Sequence, residues 1–219
     1  MDEIPQNQKD RFRENLKDFN FISVREKTAV KLLKEIGIEN VEKVLDPVYL
    51  LDVAEWNKIT QKSTLRLENE KYILAYGFKQ QKDLYKYARK LANARNCKLY
   101  SINTNFEDKF LDVDKYFYNA TPYDFVNLVK NAQEVVTNSF HGLSFSIIYN
   151  KPVHQFKKNG TENSRMVDLL NELDLSERLV ISEELLTNQL NYDITETIIA
   201  KNKTKSIEFL QKGLMCNDR

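Results

Sequence analysis

A few polar residues placed at the ends of apolar strands are the groups in this chain whose types and spacing could do chemistry. His141 comes first. It lies in Thr137-Asn138-Ser139-Phe140-His141-Gly142, a cluster that follows the β-branched pair Val135-Val136 and precedes Leu143, Ile147 and Ile148 at helical spacing. That order spells a strand, a turn and a helix. Ser139 stands where an N-cap hydroxyl belongs and Gly142 keeps the first turn uncrowded, so the amides from Ser139 to Gly142 would share the charge of an anion. An imidazole there can exchange a proton near neutral pH. Arg25 closes a short apolar strand, and its planar fork suits phosphate and carboxylate alike. Arg165 opens a later helix, with Glu162 and Asp168 as pairing candidates. Asp46, before Pro47, reads first as a turn former, and His154, inside the apolar KPVHQF, as a core histidine.

These positions gain meaning from the elements that carry them. Phe21 to Val24 reads as a strand, Glu26 to Ile36 as a helix stopped by Gly37, and Val41 to Leu45 as a strand stopped at Asp46-Pro47. Ahead of them, residues 1 to 20 suggest an amphipathic helix with Phe12, Leu16 and Phe19 on one side. Tyr49 to Ile59 reads as a short helix, and the polar stretch Thr60 to Glu70 as a subdomain boundary. Tyr72 to Phe78, Gln81 to Arg95 and Cys97 to Ile102 then alternate strand, helix and strand, the pattern of parallel βαβ units. Thr121-Pro122 starts the next helix, Glu134 the central strand, and Val153 to Phe156 the strand after it. Arg165 to Leu173, Ser182 to Leu190 and Thr195 to Leu214 read as helices. The expected class is therefore α/β, a Rossmann-like parallel sheet with flanking helices. Its expected parts are an αβ lead-in segment over 1–65 that packs on the main domain, a Rossmann-like domain over 66–180 and C-terminal helices over 181–219. Ligands of such sheets bind beyond the carboxyl ends of the strands, where Arg25, Asp46, Asn138, Ser139 and His141 all fall.

Composition narrows the classes. Among 219 residues, Lys+Arg 33 against Asp+Glu 32 leave a net charge of +1, so no long-range field invites nucleic acid or an anionic membrane. Cys97 and Cys216 lack neighbours at metal-ligand spacing, and no metal is expected. The start MDEIPQNQKD has no basic-then-apolar signal, and no apolar run approaches the roughly 20 residues that cross a bilayer. A cytoplasmic protein is the expectation.

The wording VVTNSFHGLSFSIIYNKP, followed by ENSRMVDLLNELDLSER, resembles the polysaccharide pyruvyl transferase family. Ser23-Val24-Arg25-Glu26 and Asp46-Pro47-Val48 resemble two further elements of that family, in the same order. The resemblance runs from about Phe21 to Arg178. It implies transfer of the enolpyruvyl carbons of phosphoenolpyruvate, as donor substrate rather than cofactor, to a sugar of a surface polysaccharide or its lipid-linked precursor. His141 and Arg25 would be the catalytic residues, with Asn138, Ser139, Phe140, Gly142 and Arg165 binding the donor. Some members read Arg-Leu-His where this chain has Ser139-Phe140-His141, so one cation of theirs is replaced here. Members usually have two Rossmann-like halves in a glycosyltransferase-B-like arrangement, and this chain resembles the C-terminal one. A separate N-terminal half, or a homo-oligomer, is then an expected partner. Two other readings stay open: a glycosyltransferase-like domain that binds a nucleotide sugar, and a non-catalytic remnant that binds a sugar phosphate or a partner chain.

Overall fold

The structure is a computed structural model and describes residues 3–78, 82–102, 112–158, 163–187 and 191–215. In chain order the elements are α1 (Lys9–Leu16), β1 (Ile22–Val24), α2 (Lys27–Glu35), β2 (Val41–Lys43), α3 (Val53–Thr60), β3 (Tyr72–Tyr76), α4 (Lys82–Arg95), β4 (Lys98–Ile102), β5 (Lys115–Phe117), α5 (Pro122–Asn131), β6 (Glu134–Thr137), α6 (Phe140–Ile148), β7 (Val153–Gln155), α7 (Ser164–Glu172) and α8 (Asp193–Met215). They form two units. One comprises 1–50, 160–175 and 193–219, and the other 51–159 and 176–192.

In the first unit β1 and β2 run parallel, with Ile22 opposite Val41 and Val24 opposite Lys43. The apolar face of α2 closes over them: Leu33 and Ile36 are buried with Ile4 and Ile38, and Phe12 and Leu16 of α1 pack alongside. α2 stops because Gly37 takes φ +84°. There the Gly37 NH reaches the Lys34 carbonyl and the Ile38 NH reaches that of Leu33, so the last turn's acceptors are answered. Asp168 of α7 serves α2 at its other end, accepting from the Thr28 NH at 3.0 Å and the Thr28 hydroxyl at 2.9 Å. α8 is tied to the same unit by polar contacts. The Ser206 hydroxyl accepts the Leu45 NH at 2.9 Å, and the Thr195 hydroxyl donates to the Leu173 carbonyl at 3.1 Å.

The second unit holds a five-stranded, all-parallel sheet in the order β5-β4-β3-β6-β7. Tyr72, Ile73, Leu74 and Ala75 of β3 are fully buried, as a strand covered on both faces requires. Leu84, Ala88 and Leu91 of α4 are buried against it at the spacing the sequence shows. Thr121 caps α5 in a reciprocal box with Asp124, Pro122 taking the first helical position. α6 buries Phe140, Leu143, Phe145 and Ile147, and Trp56 of α3 meets the Phe145 ring edge-on at 4.7 Å. This is the α/β, Rossmann-like sheet with flanking helices that the alternation of elements predicts.

Four expectations change. The middle strand is β3, not the one at Glu134, although β6 is also interior. Phe19 lies beyond the end of α1 and is 62% exposed, because the helix stops at Leu16 before its third apolar residue can face inward. Residues 182–184 are bends and 185–187 carry no regular structure, instead of the helix expected over Ser182 to Leu190, whose last three residues lie outside those described. Their backbone is taken by side chains of α4: Lys90 donates to the Glu183 carbonyl and the Leu186 NH donates to the Tyr87 hydroxyl. The three consecutive segments 1–65, 66–180 and 181–219 also give way to the two interleaved units. α7 and α8 belong to the unit that the first 50 residues begin, Phe209 of α8 meeting Phe21 edge-on at 6.0 Å, and the polar stretch Thr60 to Glu70 stays with the sheet.

Candidate functional site

In the second unit Thr137 lies opposite Tyr76 of β3 and Gln155 of β7, so three strands end in step. Their turns emerge side by side as Gly77-Phe78, Asn138 to His141 and Phe156 to Lys158. Asn138, fully buried, uses its amide to hold the neighbouring turn: Oδ1 accepts from the Phe78 NH at 2.8 Å and Nδ2 donates to the Phe78 carbonyl at 3.0 Å. Thr137 donates its hydroxyl proton to the Tyr76 carbonyl at 2.6 Å and accepts from the Ser139 NH at 3.0 Å. Ser139 caps α6 as expected, its Oγ accepting from the Gly142 NH at 3.3 Å. The amides of Ser139 and Gly142 are therefore engaged within the turn. The expectation that the whole run from Ser139 to Gly142 shares an anion's charge narrows accordingly.

His141 is exposed on the first turn of α6, with the ring of buried Phe140 edge-on to it at 5.6 Å. The Lys158 ammonium stands 5.4 Å from the centre of the Phe78 ring. It brings a fixed cation to the turn that Asn138 holds. Gly142 is set by close approach: a Cβ there would meet Thr137 Oγ1 at 2.4 Å. Thr137 is pinned by its two hydrogen bonds, so Gly142→Ala should lose about 1 to 3 kcal/mol of stability, which a urea titration would measure. A variant as stable as the wild type would show that the turn can open.

In the first unit, Arg25 and Asp46 follow adjacent parallel strands and meet: Arg25 Nη1 lies 2.5 Å from Asp46 Oδ2. Asp46 Oδ1 accepts from the Val48 NH at 3.2 Å, so the sequence reading of a turn former holds and a second duty is added. Arg165, opening α7, pairs through Nε with Glu26 Oε1 at 2.5 Å and brings Nη2 to 3.9 Å from Asp46 Oδ2. It does not pair with Asp168, whose carboxylate is committed to Thr28, and Glu162 lies outside the described residues. Ser23, Glu26, Ser164 and Arg165 also border a cavity of about 300 Å³ walled mainly by apolar side chains of the same unit.

The sequence candidates thus fall into two groups, each gathered within its own unit: Asn138, Ser139, Phe140, His141 and Gly142 in one, Arg25 and Arg165 in the other. Sequence reasoning missed Glu26 as the partner of Arg165, although it is spelled beside Arg25. It also missed a buried network in the second unit. His154, read as a core histidine, is fully buried with Nδ1 2.8 Å from the Tyr87 hydroxyl and Nε2 2.8 Å from Glu134 Oε2. Glu134 Oε1 in turn accepts from Arg95 Nε at 2.5 Å. Burial opposes ionisation of Glu134, but the hydrogen bonds from His154 and Arg95 outweigh it and hold this carboxyl below its ordinary range.

A five-stranded parallel sheet flanked by helices, with polar turns at its strand ends, defines the Rossmann-like class. The family model for polysaccharide pyruvyl transferase matches residues 2–154, more than half of the chain, and the chain belongs to that family. No curated protein matches it. Among the described residues no helix is long and apolar enough to cross a membrane, and no group of three or more His, Cys, Asp or Glu is placed to hold a metal ion.

Proposed function

We propose that the chain transfers pyruvyl from phosphoenolpyruvate to a sugar of a surface polysaccharide or its precursor, in the cytoplasm, as a step of capsule or exopolysaccharide synthesis. The observation that carries this reading is an exposed imidazole on the first turn of α6, in a turn whose backbone is fixed by Thr137, Asn138 and Ser139, in a chain of this family. His141 gives a proton to the methylene carbon of the donor, which leaves C2 electron-poor. A sugar hydroxyl adds at C2 and returns its proton to the imidazole. A second hydroxyl then closes the ketal at C2 as phosphate leaves with that hydroxyl's proton. Within the first unit, Arg25 and Arg165 carry two guanidinium forks of the kind that suits a phosphate or carboxylate. Asn138 and Ser139 keep the turn in shape, and Phe140 and Gly142 let α6 start where it does.

The test is release of phosphate together with a new ketal methyl resonance when the protein is given phosphoenolpyruvate and a panel of sugar acceptors. Thermal shifts with phosphoenolpyruvate and with nucleoside diphosphates run beside it. Stabilisation by a nucleoside diphosphate alone would instead mark a nucleotide-sugar-binding domain. Arg25→Ala should weaken phosphoenolpyruvate binding by about 2 kcal/mol, the low end for loss of a charged contact because the side chain is 39% exposed. Unaltered affinity would place Arg25 outside the site.

A further inference from the structure

The charged cluster of the first unit is not arranged like an ordinary surface salt bridge. Its carboxylates are more deeply buried than its arginines: the Asp46 side chain is 3% exposed and that of Glu26 15%, against 39% for Arg25 and 30% for Arg165, whose Nε and Nη2 are themselves buried. Formal charges cancel, two against two, and Arg25 is the more open of the two arginines. An anion approaching the cluster meets guanidinium first. Asp46 is the part that makes this orientation rigid. Its two oxygens do different work, Oδ1 on the Val48 NH and Oδ2 on Arg25 Nη1, with Arg165 Nη2 3.9 Å from the same Oδ2. The Val48 contact fixes the carboxylate to the turn after β2, and the fixed carboxylate holds the guanidinium from behind through a single Nη. A guanidinium carries five donors, so one held from behind still has an edge to offer. Holding it in advance reduces the rotamer entropy lost when an anion binds.

We propose that Asp46 is a positioning residue, which orients the Arg25 guanidinium as a preformed receptor for a phosphate or carboxylate group. The inference rests on the reading of Arg25 as an anion holder and adds the residue on which its affinity depends. It predicts coupling. Asp46→Asn keeps one carbonyl oxygen, which can serve the Val48 NH or Arg25 but not both with a full charge. The guanidinium then loses its fixed orientation while the turn keeps its cap. Asp46→Ser, whose hydroxyl also caps such turns, is the second variant should the first fold poorly.

The experiment is calorimetric titration of the full chain with phosphoenolpyruvate, for the wild type, Arg25→Ala, Asp46→Asn, Asp46→Ser and the Arg25→Ala/Asp46→Asn double variant, with thermal midpoints of each. Asp46→Asn should lower affinity about tenfold, the size of one charge-assisted hydrogen bond's net effect. In the Arg25→Ala background the same change should do nothing further, because the group it positions is gone. A merely structural role would weaken binding equally in both backgrounds, and that result overturns the proposal. So does wild-type affinity in Asp46→Asn and Asp46→Ser while Arg25→Ala is weak, which would leave the role of Arg25 standing. If Arg25→Ala binds like the wild type, or the wild type binds no phosphoenolpyruvate, both the reading of Arg25 and the role of Asp46 fall together.

Discussion

His141→Ala is expected to lower the rate of pyruvyl transfer by about two to four orders of magnitude, the range that a positioned general acid contributes, while leaving the fold intact. The two halves of that expectation have separate causes. The imidazole is exposed on the first turn of α6, and the turn is held by neighbours whose hydrogen bonds do not involve it: Thr137 on Tyr76, Asn138 on Phe78, Ser139 on the Gly142 NH. Truncating an exposed side chain on a turn held by its neighbours' own hydrogen bonds is expected to cost about 1 kcal/mol or less. The rate, by contrast, depends on a proton reaching carbon, for which a hydroxyl or a Lys ammonium at neutral pH is a poor source. Steady-state assays of phosphate release, beside thermal midpoints, separate the two. His141→Asn, which keeps hydrogen-bonding capacity but cannot act as an acid, should be as slow as the alanine variant. Unchanged turnover in either would remove His141 as the proton donor, and loss of the cooperative unfolding transition would show that the turn needs the ring.

The sheet was legible because its signals are local and consistent. Val135-Val136, then Ser139, then Leu143, Ile147 and Ile148 switch from strand to capped helix over a single short stretch, and Thr121-Pro122 with Asp124 marks the start of α5 as plainly. The placing of Arg25, Asp46 and His141 at strand ends followed from those same boundaries. What the sequence did not show was which side chains answer which backbone groups over long separations. Residues 182–187 have helical composition, yet Tyr87 and Lys90 of α4 take up their NH and carbonyl groups, and no local pattern records that. Arg165 looked free to pair with its helical neighbour Asp168, but the start of α2 already occupies that carboxylate through Thr28. The unit boundaries were hidden for a related reason. α7 and α8 return to the unit begun in the first 50 residues, and the return is written only in apolar positions that end up buried, Met166, Leu169 and Leu170 on α7 and Phe209 on α8, not in any linker.

Glu134→Ala should destabilise the protein by about 3 kcal/mol at neutral pH, because it strands two donors at once. The Glu134 side chain is 12% exposed and lies between Arg95, which can turn to water at 39% exposure, and His154, which cannot at 1%. His154 is the costly partner. Its Nδ1 faces the Tyr87 hydroxyl, which itself accepts the Leu186 NH at 3.0 Å. An ionised Glu134 can only accept, so the Nε2 proton points to it, and truncation leaves that proton buried without an acceptor. Burial also pushes the Tyr87 phenol above its ordinary range, so it remains a donor throughout. A pH dependence follows from the Glu134 carboxyl, whose folded pKa is depressed below its ordinary range. A depressed carboxyl adds stability above its unfolded pKa and loses it as pH falls through the folded one. The gap in unfolding free energy between wild type and Glu134→Gln should then be constant from neutral pH down to the ordinary carboxylate range and shrink below it. Urea titrations across that interval measure the gap. A gap that widens on acidification, or a Glu134→Ala variant that unfolds at the wild-type midpoint, would mean that His154 finds another acceptor and that strands β6 and β7 are joined by their backbone and apolar contacts alone.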